Sequence, residues 1–311
     1  MDLNKRFSGI WSAAPTPLDN KMRVDPGSAA RMVDHHFRLG VRGLFLAGTN
    51  GEGPWLPEED LRTLVRSVVK ASRGRMTVAV QVTDNSAARI EDNIRKAADN
   101  GAAIAVIAPP YFAPPYALAR EGEKHLEEIY LEAIRQSPLP VGIYDRGNFS
   151  SVAVPERVLA RIYREPNVCI VKDSSALTSH KKLALEARRR RPGLSLFCGS
   201  EFDTVTYLKA GYDGLLLGGG VFNGYLANLI FEAVASGHQK KAAQLQARMN
   251  RLMFSVYGGK RIRTWLSGEK YLLVRMGIFR TYKNFPGYPL TGGDKKTIEK
   301  ILEREKDILL P

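Results

Sequence analysis

The sequence predicts a (β/α)₈ barrel, the TIM-barrel fold, followed by a C-terminal helical extension. The chain has 311 residues, which is enough for one large barrel domain and additional helices. Short apolar runs rich in Val, Ile, Leu and Ala recur along it, separated by segments with helical signals. Eight runs alternate with eight helical segments, and eight parallel strands are the number that closes this kind of barrel.

The apolar runs are short and alternate only weakly with polar residues, which is typical of parallel strands buried on both faces. They comprise residues 9–15, 41–47, 76–82, 103–108, 140–144, 168–172, 194–198 and 214–217. Between the first two, Asp25 and Pro26 supply an N-cap and a first-turn proline, and Gly40 ends the helix. Further helices are predicted from residue 57, at 85–100, from residue 154, and at 178–190, 201–210 and 222–236. The segment between the runs at 103–108 and 140–144 is counted as the eighth.

The barrel is predicted to occupy residues 1–236 and the extension residues 237–311. The extension holds about three helical segments, at 238–257, 260–280 and 293–309. A cluster of Pro and Gly residues precedes the last of them. We expect these helices to pack on the barrel and not to form a separate functional module.

The formal net charge of +14 is the unusual bulk property, and it is compatible with nucleic acid, an anionic membrane surface or small anionic substrates. The main basic run, residues 188–191, precedes Pro192, where a helix C-terminus favours cations. Without a nucleic-acid-binding motif, a membrane-spanning apolar run or the apolar core of a signal peptide, we expect no nucleic acid or membrane partner. Two cysteines cannot form a disulfide framework, so a cytoplasmic location is expected.

Lys172 is the most informative single residue, because it directly follows the apolar run at 168–171. Active sites of such barrels lie at the C-terminal ends of the strands. Desolvation there lowers the pKa of a lysine, and a neutral amine can attack a ketone to form an imine. The structural alternative is a lysine that extends from the strand end into solvent or pairs with Asp173.

Two neighbouring features favour the functional interpretation. Tyr144 ends the preceding strand, and a phenol can relay protons to an intermediate, although an aromatic side chain can also simply fill the barrel top. The glycine-rich turn at 48–53 follows the second strand, and its backbone N–H groups could hold a carboxylate. Within it, Thr49 adds a hydroxyl that could link a proton relay between tyrosines.

Taken in this order, the residues strongly resemble the dihydrodipicolinate synthase / N-acetylneuraminate lyase family, class I aldolases and lyases that form a Schiff base on a (β/α)₈ barrel. The resemblance rests on Gly48-Thr49-Asn50-Gly51-Glu52, Pro109-Pro110-Tyr111, Tyr144, Ile170-Val171-Lys172-Asp173-Ser174-Ser175 and Gly199-Ser200-Glu201. It implies that Lys172 forms the imine, that Tyr144, Thr49 and Tyr111 relay protons, and that the turn binds the carboxylate of pyruvate. Predicted substrate-binding residues are Gly48, Asn50, Gly199, Glu201 and Gly218.

The chain departs from the synthases in the segment after Tyr144. In the synthases an arginine in this segment binds the carboxylate of the second substrate, whereas Phe149 stands at the expected position here and Arg146 is out of register. Asn50 replaces the second threonine of the turn. These changes argue against the synthase activity and favour a sugar-acid branch of the family. The polar candidates for substrate contact are Glu201, Asp145, Arg146 and Asn50.

The predicted function is therefore a Schiff-base-forming lyase that cleaves, or forms, a 2-keto-3-deoxy sugar acid to give pyruvate and a hydroxyaldehyde. The alternatives are a sugar-acid dehydratase, 4-hydroxy-tetrahydrodipicolinate synthase, and a non-catalytic barrel that binds a partner. No cofactor beyond the covalent imine with Lys172 and no metal is expected, because the five histidines are scattered. The resemblance further implies a homo-oligomer, a dimer or a tetramer, with the Tyr111 segment near the dimer contact.

Overall fold

The computed structural model describes residues 7–112 and 120–310, and its eight strands form the closed parallel barrel that the sequence predicts. The strands follow each other around the barrel in chain order, and β1 pairs with β8 to close it. They are β1 Gly9–Ala13, β2 Gly43–Leu46, β3 Thr77–Gln81, β4 Ile104–Ile107, β5 Val141–Asp145, β6 Val168–Asp173, β7 Ser195–Cys198 and β8 Gly214–Leu217.

In the part of the chain that the structure describes, eight α-helices surround the barrel, one after each strand. They are α1 Pro26–Arg38, α2 Glu58–Ser72, α3 Ala87–Asp99, α4 Arg120–Gln136, α5 Glu156–Ile162, α6 Thr178–Arg190, α7 Thr204–Lys209 and α8 Gly220–Ala235. The side chain of Asp25 accepts a hydrogen bond from the N–H of Gly27 and caps α1, as its position before Pro26 predicts. The predicted helix at 201–210 is shorter, because a 3₁₀ turn at Glu201–Asp203 precedes α7.

Within residues 237–310 the extension contains four helices, α9 Gln239–Val256, α10 Trp265–Arg275, α11 Gly292–Arg304 and α12 Lys306–Leu309. The sequence predicts about three segments, and the third of them, at 293–309, is divided into α11 and α12. The second predicted helix starts later than expected, because Gly258, Gly259 and Ile262 adopt positive φ angles between α9 and α10. Helix α9 of the extension packs on α8 of the barrel. The division of the chain into a barrel at 1–236 and an extension at 237–311 stays a prediction.

The interior of the barrel is filled by aromatic side chains packed against glycines. Trp11 lies 5.1 Å from Phe197, measured between ring centroids. A Cβ atom added at Gly43 would lie 2.3 Å from the Trp11 ring, and one added at Gly214 would lie 2.6 Å from the Phe197 ring. Because these rings occupy the interior, the space for a substrate is at the C-terminal mouth.

Candidate active site

The register between β5 and β6 brings Tyr144 and Lys172 together at the mouth of the barrel. The two residues are direct partners in neighbouring strands, and both side chains point inward, with exposed fractions of 8% and 5%. The Nζ atom of Lys172 lies 4.1 Å from the centroid of the Tyr144 ring and 5.0 Å from that of Phe45. The amine predicted to attack a ketone is thus enclosed by two aromatic rings.

Burial lowers the pKa of Lys172, although the neighbouring Tyr144 and Glu201 oppose this effect. Burial also disfavours the ionised form of Tyr144, but the positive charges of Lys172 and Arg146 outweigh it and leave the pKa of the phenol lowered. The hydroxyls of Thr49 and Ser174 lower it further. The site therefore contains a lysine that loses its proton more readily than usual beside a phenol that exchanges protons more readily than usual.

The turn that follows β2 has a constrained backbone. Ala47 and Glu52, which flank residues 48–51, have φ angles of 55° and 58°, a left-handed conformation that side chains disfavour. A Cβ atom at Gly51 would lie 2.7 Å from the Ala47 nitrogen, so the turn closes too tightly for a larger residue. The backbone N–H groups of Thr49 and Asn50 find no acceptor among residues 7–112 and 120–310. Two adjacent unpaired donors suit a carboxylate.

A cavity of about 250 Å³ joins most of the predicted residues. Of the catalytic residues, Lys172, Tyr144 and Thr49 line it. Of the substrate-binding residues, Asn50, Gly199, Glu201 and Gly218 line it. The predicted residues that line this cavity therefore come from the ends of five strands.

Gly199, Gly218 and Glu201 form one wall of this cavity. A Cβ atom at Gly199 would lie 1.9 Å from the Ser174 hydroxyl and 3.0 Å from the Lys172 side chain, so only glycine leaves the lysine room. Glu201 accepts a hydrogen bond of 2.8 Å from the N–H of Gly219. Burial raises the pKa of its carboxyl, against the lowering effect of this hydrogen bond and of Lys172. Glu201 can therefore exchange protons with a substrate hydroxyl.

Gly48 and Tyr111 are the two predicted residues that do not line the Lys172 cavity. A Cβ atom at Gly48 would lie 2.7 Å from the Phe45 ring, so this glycine accommodates the ring beneath the turn. Tyr111 is 40% exposed, and its hydroxyl accepts a 3.0 Å hydrogen bond from Gln81. It lines a neighbouring cavity of about 420 Å³ that shares Thr49 and Arg146 with the first. Their functional roles stay predictions.

The structure also places in the cavity residues that the sequence did not single out. Ser174 follows Lys172 by two positions and therefore points to the same side of the strand, a signal that was available in the sequence. Tyr257, Ile262 and Trp265 come from the extension. No sequence pattern predicted them, since their position depends on how α9 and α10 pack on the barrel.

Arg146 and Phe149 lie in the cavity as well, with Phe149 67% exposed. The guanidinium of Arg146 lies 5.9 Å from the Tyr144 ring centroid. The position of Arg146 in the sequence is out of register with the synthase arginine, yet its side chain lines the cavity.

Asp145, a polar candidate for substrate contact, points away from the site. Strand alternation turns it outward because its neighbour Tyr144 faces inward. Its carboxylate lies 2.7 Å from Nδ1 of His180 and accepts hydrogen bonds from the N–H of Gly147 and the hydroxyl of Tyr163. Asp145 therefore joins β5 to α5 and α6 and does not reach the cavity.

Within the described ranges 7–112 and 120–310, no group of three or more His, Cys, Asp and Glu side chains is arranged to hold a metal ion. In the same part of the chain, no helix combines the length and apolar character needed to cross a membrane.

Comparison with known proteins identifies relatives over most of the chain. The profile of the dihydrodipicolinate synthetase family matches residues 6–305. N-acetylneuraminate lyase 2 of Escherichia coli O6:H1 is 27% identical over 305 residues, with 96% of this chain and 94% of that protein covered. The 4-hydroxy-tetrahydrodipicolinate synthase of Xylella fastidiosa is 29% identical over 211 residues, covering 68% and 67%. The structure of dihydrodipicolinate synthase from Bacteroides thetaiotaomicron superposes with a TM-score of 0.84 at 26% identity, covering 97% and 100%.

Proposed function

Because the chain belongs to the dihydrodipicolinate synthetase family of class I aldolases and lyases, we propose that it cleaves a 2-keto-3-deoxy sugar acid to pyruvate and a hydroxyaldehyde. The observation that carries this proposal is the buried amine of Lys172, 4.1 Å from the Tyr144 ring and in one cavity with the turn at 48–51. The reverse reaction, an aldol addition, uses the same groups.

The reaction begins when the neutral amine of Lys172 attacks the C2 ketone of the substrate to form a carbinolamine. Tyr144 donates its proton to the departing hydroxyl, so that water leaves and a protonated imine and the Tyr144 phenolate remain. The N–H groups of Thr49 and Asn50 hold the substrate carboxylate. Tyr144 then accepts the proton of the C4 hydroxyl, the C3–C4 bond breaks, and its electron pair passes into the protonated imine to give an enamine. Protonation at C3 and hydrolysis release pyruvate and restore the amine.

The preference for a sugar acid follows from the rest of the cavity. Phe149 stands where a synthase would supply an arginine for the second substrate. Glu201 and Arg146 place an acceptor and a donor in the same cavity, where they suit the hydroxyl groups of a sugar acid. A cavity of about 250 Å³ is also small, as expected for a short-chain substrate.

Dehydration is the second candidate. The raised pKa of Glu201 favours its protonated form, which can donate a proton to a departing C4 hydroxyl. A pyruvate assay with 2-keto-3-deoxy acids of increasing length separates the two reactions, since a dehydratase forms a dioxo product without releasing pyruvate.

4-Hydroxy-tetrahydrodipicolinate synthase remains the third candidate, and assays with pyruvate and aspartate semialdehyde measure it directly. Useful rates there would contradict our interpretation of Phe149.

We propose no cofactor beyond the covalent imine, a cytoplasmic location and a homo-oligomer, a dimer or a tetramer. The exposed aromatic side chains of Trp55, Tyr111 and Phe112 at the barrel mouth support the oligomer, because large exposed aromatics are enriched at protein interfaces. Analytical ultracentrifugation tests this proposal: a monomer at micromolar concentration would contradict it.

The imine itself is tested by borohydride trapping. The protein is incubated with pyruvate and borohydride, and the reduced adduct is mapped by mass spectrometry. We expect one adduct on Lys172, its loss in Lys172→Ala, and its retention in the control Lys209→Ala, which changes an exposed lysine of α7. A folded protein that carries no adduct on Lys172 would rule out the mechanism.

A further inference from the structure

Two adjacent residues of α10, Glu269 and Lys270, contact the turn that follows β2. Both are completely buried. Glu269 accepts a 3.1 Å hydrogen bond from the amide of Asn50, and Lys270 forms an ion pair with Glu52. The C-terminal extension thus contacts two residues of the turn, Asn50 and Glu52. In the proposed function the N–H groups of Thr49 and Asn50 bind the substrate carboxylate.

Asn50 and Glu52 connect the turn to several other parts of the chain. The two hydrogens of the Asn50 amide are shared between Glu269 and the carbonyl oxygens of Ala13, at the end of β1, and Gly218, directly after β8, at 2.9 and 3.1 Å. The second carboxylate oxygen of Glu52 accepts a 2.7 Å hydrogen bond from the N–H of Phe285 in the extension.

The backbone of the turn requires such support. Ala47 and Glu52 both hold left-handed φ angles, and a residue other than glycine keeps this conformation only where its surroundings enforce it. An unpaired Glu52 carboxylate would be drawn toward water and away from this position, because a buried charge without a partner is strongly disfavoured. The pair with Lys270 removes that tendency.

We propose that Glu269 and Lys270 are positioning residues that hold the turn in its carboxylate-binding conformation. The affinity for the carboxylate of a 2-oxo acid therefore depends on the C-terminal extension, although neither residue touches the substrate. This inference rests on the proposed function, in which Lys172 forms an imine and the turn binds the carboxylate.

Glu269 allows a matched pair of variants. Burial raises the pKa of this carboxyl well above its usual range, so a neutral side chain of the same shape should replace it. Glu269→Gln keeps an acceptor for Asn50, whereas Glu269→Leu removes it. As a control, Glu299→Leu alters α11 on the same extension, where Glu299 accepts a hydrogen bond from Tyr271.

The measurement is borohydride trapping on Lys172 with two ketones, pyruvate and acetone, of which only pyruvate carries a carboxylate. We expect Glu269→Leu to raise the half-saturating pyruvate concentration by about 10-fold, the size of effect that a lost buried hydrogen bond produces. Acetone trapping should stay at the wild-type level. Glu269→Gln and Glu299→Leu should trap both ketones like the wild type.

A second variant tests Lys270 without leaving a charge buried alone. Glu52→Gln combined with Lys270→Met removes both charges, and we expect weaker pyruvate trapping with unchanged acetone trapping. This double variant also decides the question if Glu269→Leu does not fold. Thermal denaturation accompanies every variant to establish that it is folded.

Two results would overturn the proposal. One is unchanged pyruvate affinity in folded Glu269→Leu and in the double variant. The other is an equal loss for pyruvate and acetone, which indicates general damage and not a displaced turn. Failure of the proposed function looks different, because the wild type itself would then form no adduct on Lys172.

Discussion

The reactivity that we propose for Lys172 depends on its surroundings, since an ordinary lysine is protonated at neutral pH. The rings of Tyr144 and Phe45 exclude water from the amine, and Gly199 leaves space beside it. Its placement after an apolar run was enough to predict burial at a strand end. The side chain of Arg146 could not be predicted, because its direction depends on the 3₁₀ turn Gly147–Phe149 that follows it.

Replacing Tyr144 tests the proton relay. Tyr144→Phe keeps the ring that packs against Lys172 but removes the group that accepts and returns the proton. We expect turnover to fall by about 10²–10⁴-fold, as is typical for the loss of a general acid–base, with little change in thermal stability. Tyr282→Phe, at a half-exposed tyrosine of the extension, serves as control. Unchanged turnover in a folded Tyr144→Phe protein would exclude the phenol from the mechanism.

At the scale of elements, successive residues of β5 and β6 face opposite sides of the sheet. The residues proposed to act in catalysis face the cavity, and those that support the fold face outward. Tyr144 and Lys172 face the cavity, while the next residues, Asp145 and Asp173, face outward. Asp173 accepts a 2.7 Å hydrogen bond from Tyr212, so both carboxylates join strands to the surrounding chain. The sequence predicted all eight strands because their apolar runs are local signals. The predicted bounds of the helices in the extension differ from the observed ones, because these bounds depend on the positive-φ residues between the helices and on packing.

Helix α1 carries two buried histidines that make folding sensitive to acid. His35 donates to the carbonyl of Val221 on α8, and His36 donates to the carbonyl of Met32 and accepts from Ser12 on β1. Burial lowers their pKa values to about 4 and about 3, so both stay neutral in the folded protein. The unfolded chain takes up these protons below about pH 6.5. Stability from this pair is therefore present above that pH and is lost as pH falls toward about 4.

The expected result is a melting temperature that falls between pH 7 and pH 5, and falls less in a His35→Gln/His36→Gln variant. His180 contributes with the opposite sign. The hydrogen bond with Asp145 raises its pKa, so its stabilisation is present at low pH and is lost as pH rises through the raised pKa. Both proteins contain His180, so its contribution cancels when the pH dependence of the variant's stability is compared with that of the wild type. Equal pH slopes would show that the α1 histidines are not responsible.

At the scale of the whole molecule, residues of the barrel and of the extension line one cavity. The extension contributes Tyr257, Ile262 and Trp265 to the cavity, and Glu269 and Lys270 to the turn. None of these contacts was predictable, because no local pattern links residues separated by 218 positions in the chain, as Glu52 and Lys270 are. The sequence predicted a helical extension packed on the barrel, but not that it completes the site.

Deleting the extension should prevent folding of the barrel. Most of α8 is apolar and buried, including Phe222, Leu226 and Ile230, and α9 packs on it. A chain that ends at residue 236 exposes part of that surface, and large exposed apolar patches promote aggregation. We expect the truncated protein in the insoluble fraction on expression. A soluble truncated barrel that unfolds cooperatively would instead show that residues 1–236 are an independent domain.

The ion pair between Glu52 and Lys270 also has a consequence for synthesis on the ribosome. Its partners are made 218 residues apart, so at roughly 5–20 residues per second about 10–40 s pass between them. Thr49 is present from the start of this interval, and Tyr144 and Lys172 are made during it. The nascent chain still lacks α10, the helix that we propose to hold the turn. If Glu269 and Lys270 hold the turn as we propose, each new molecule completes the strand that carries Lys172 well before its turn can bind a carboxylate.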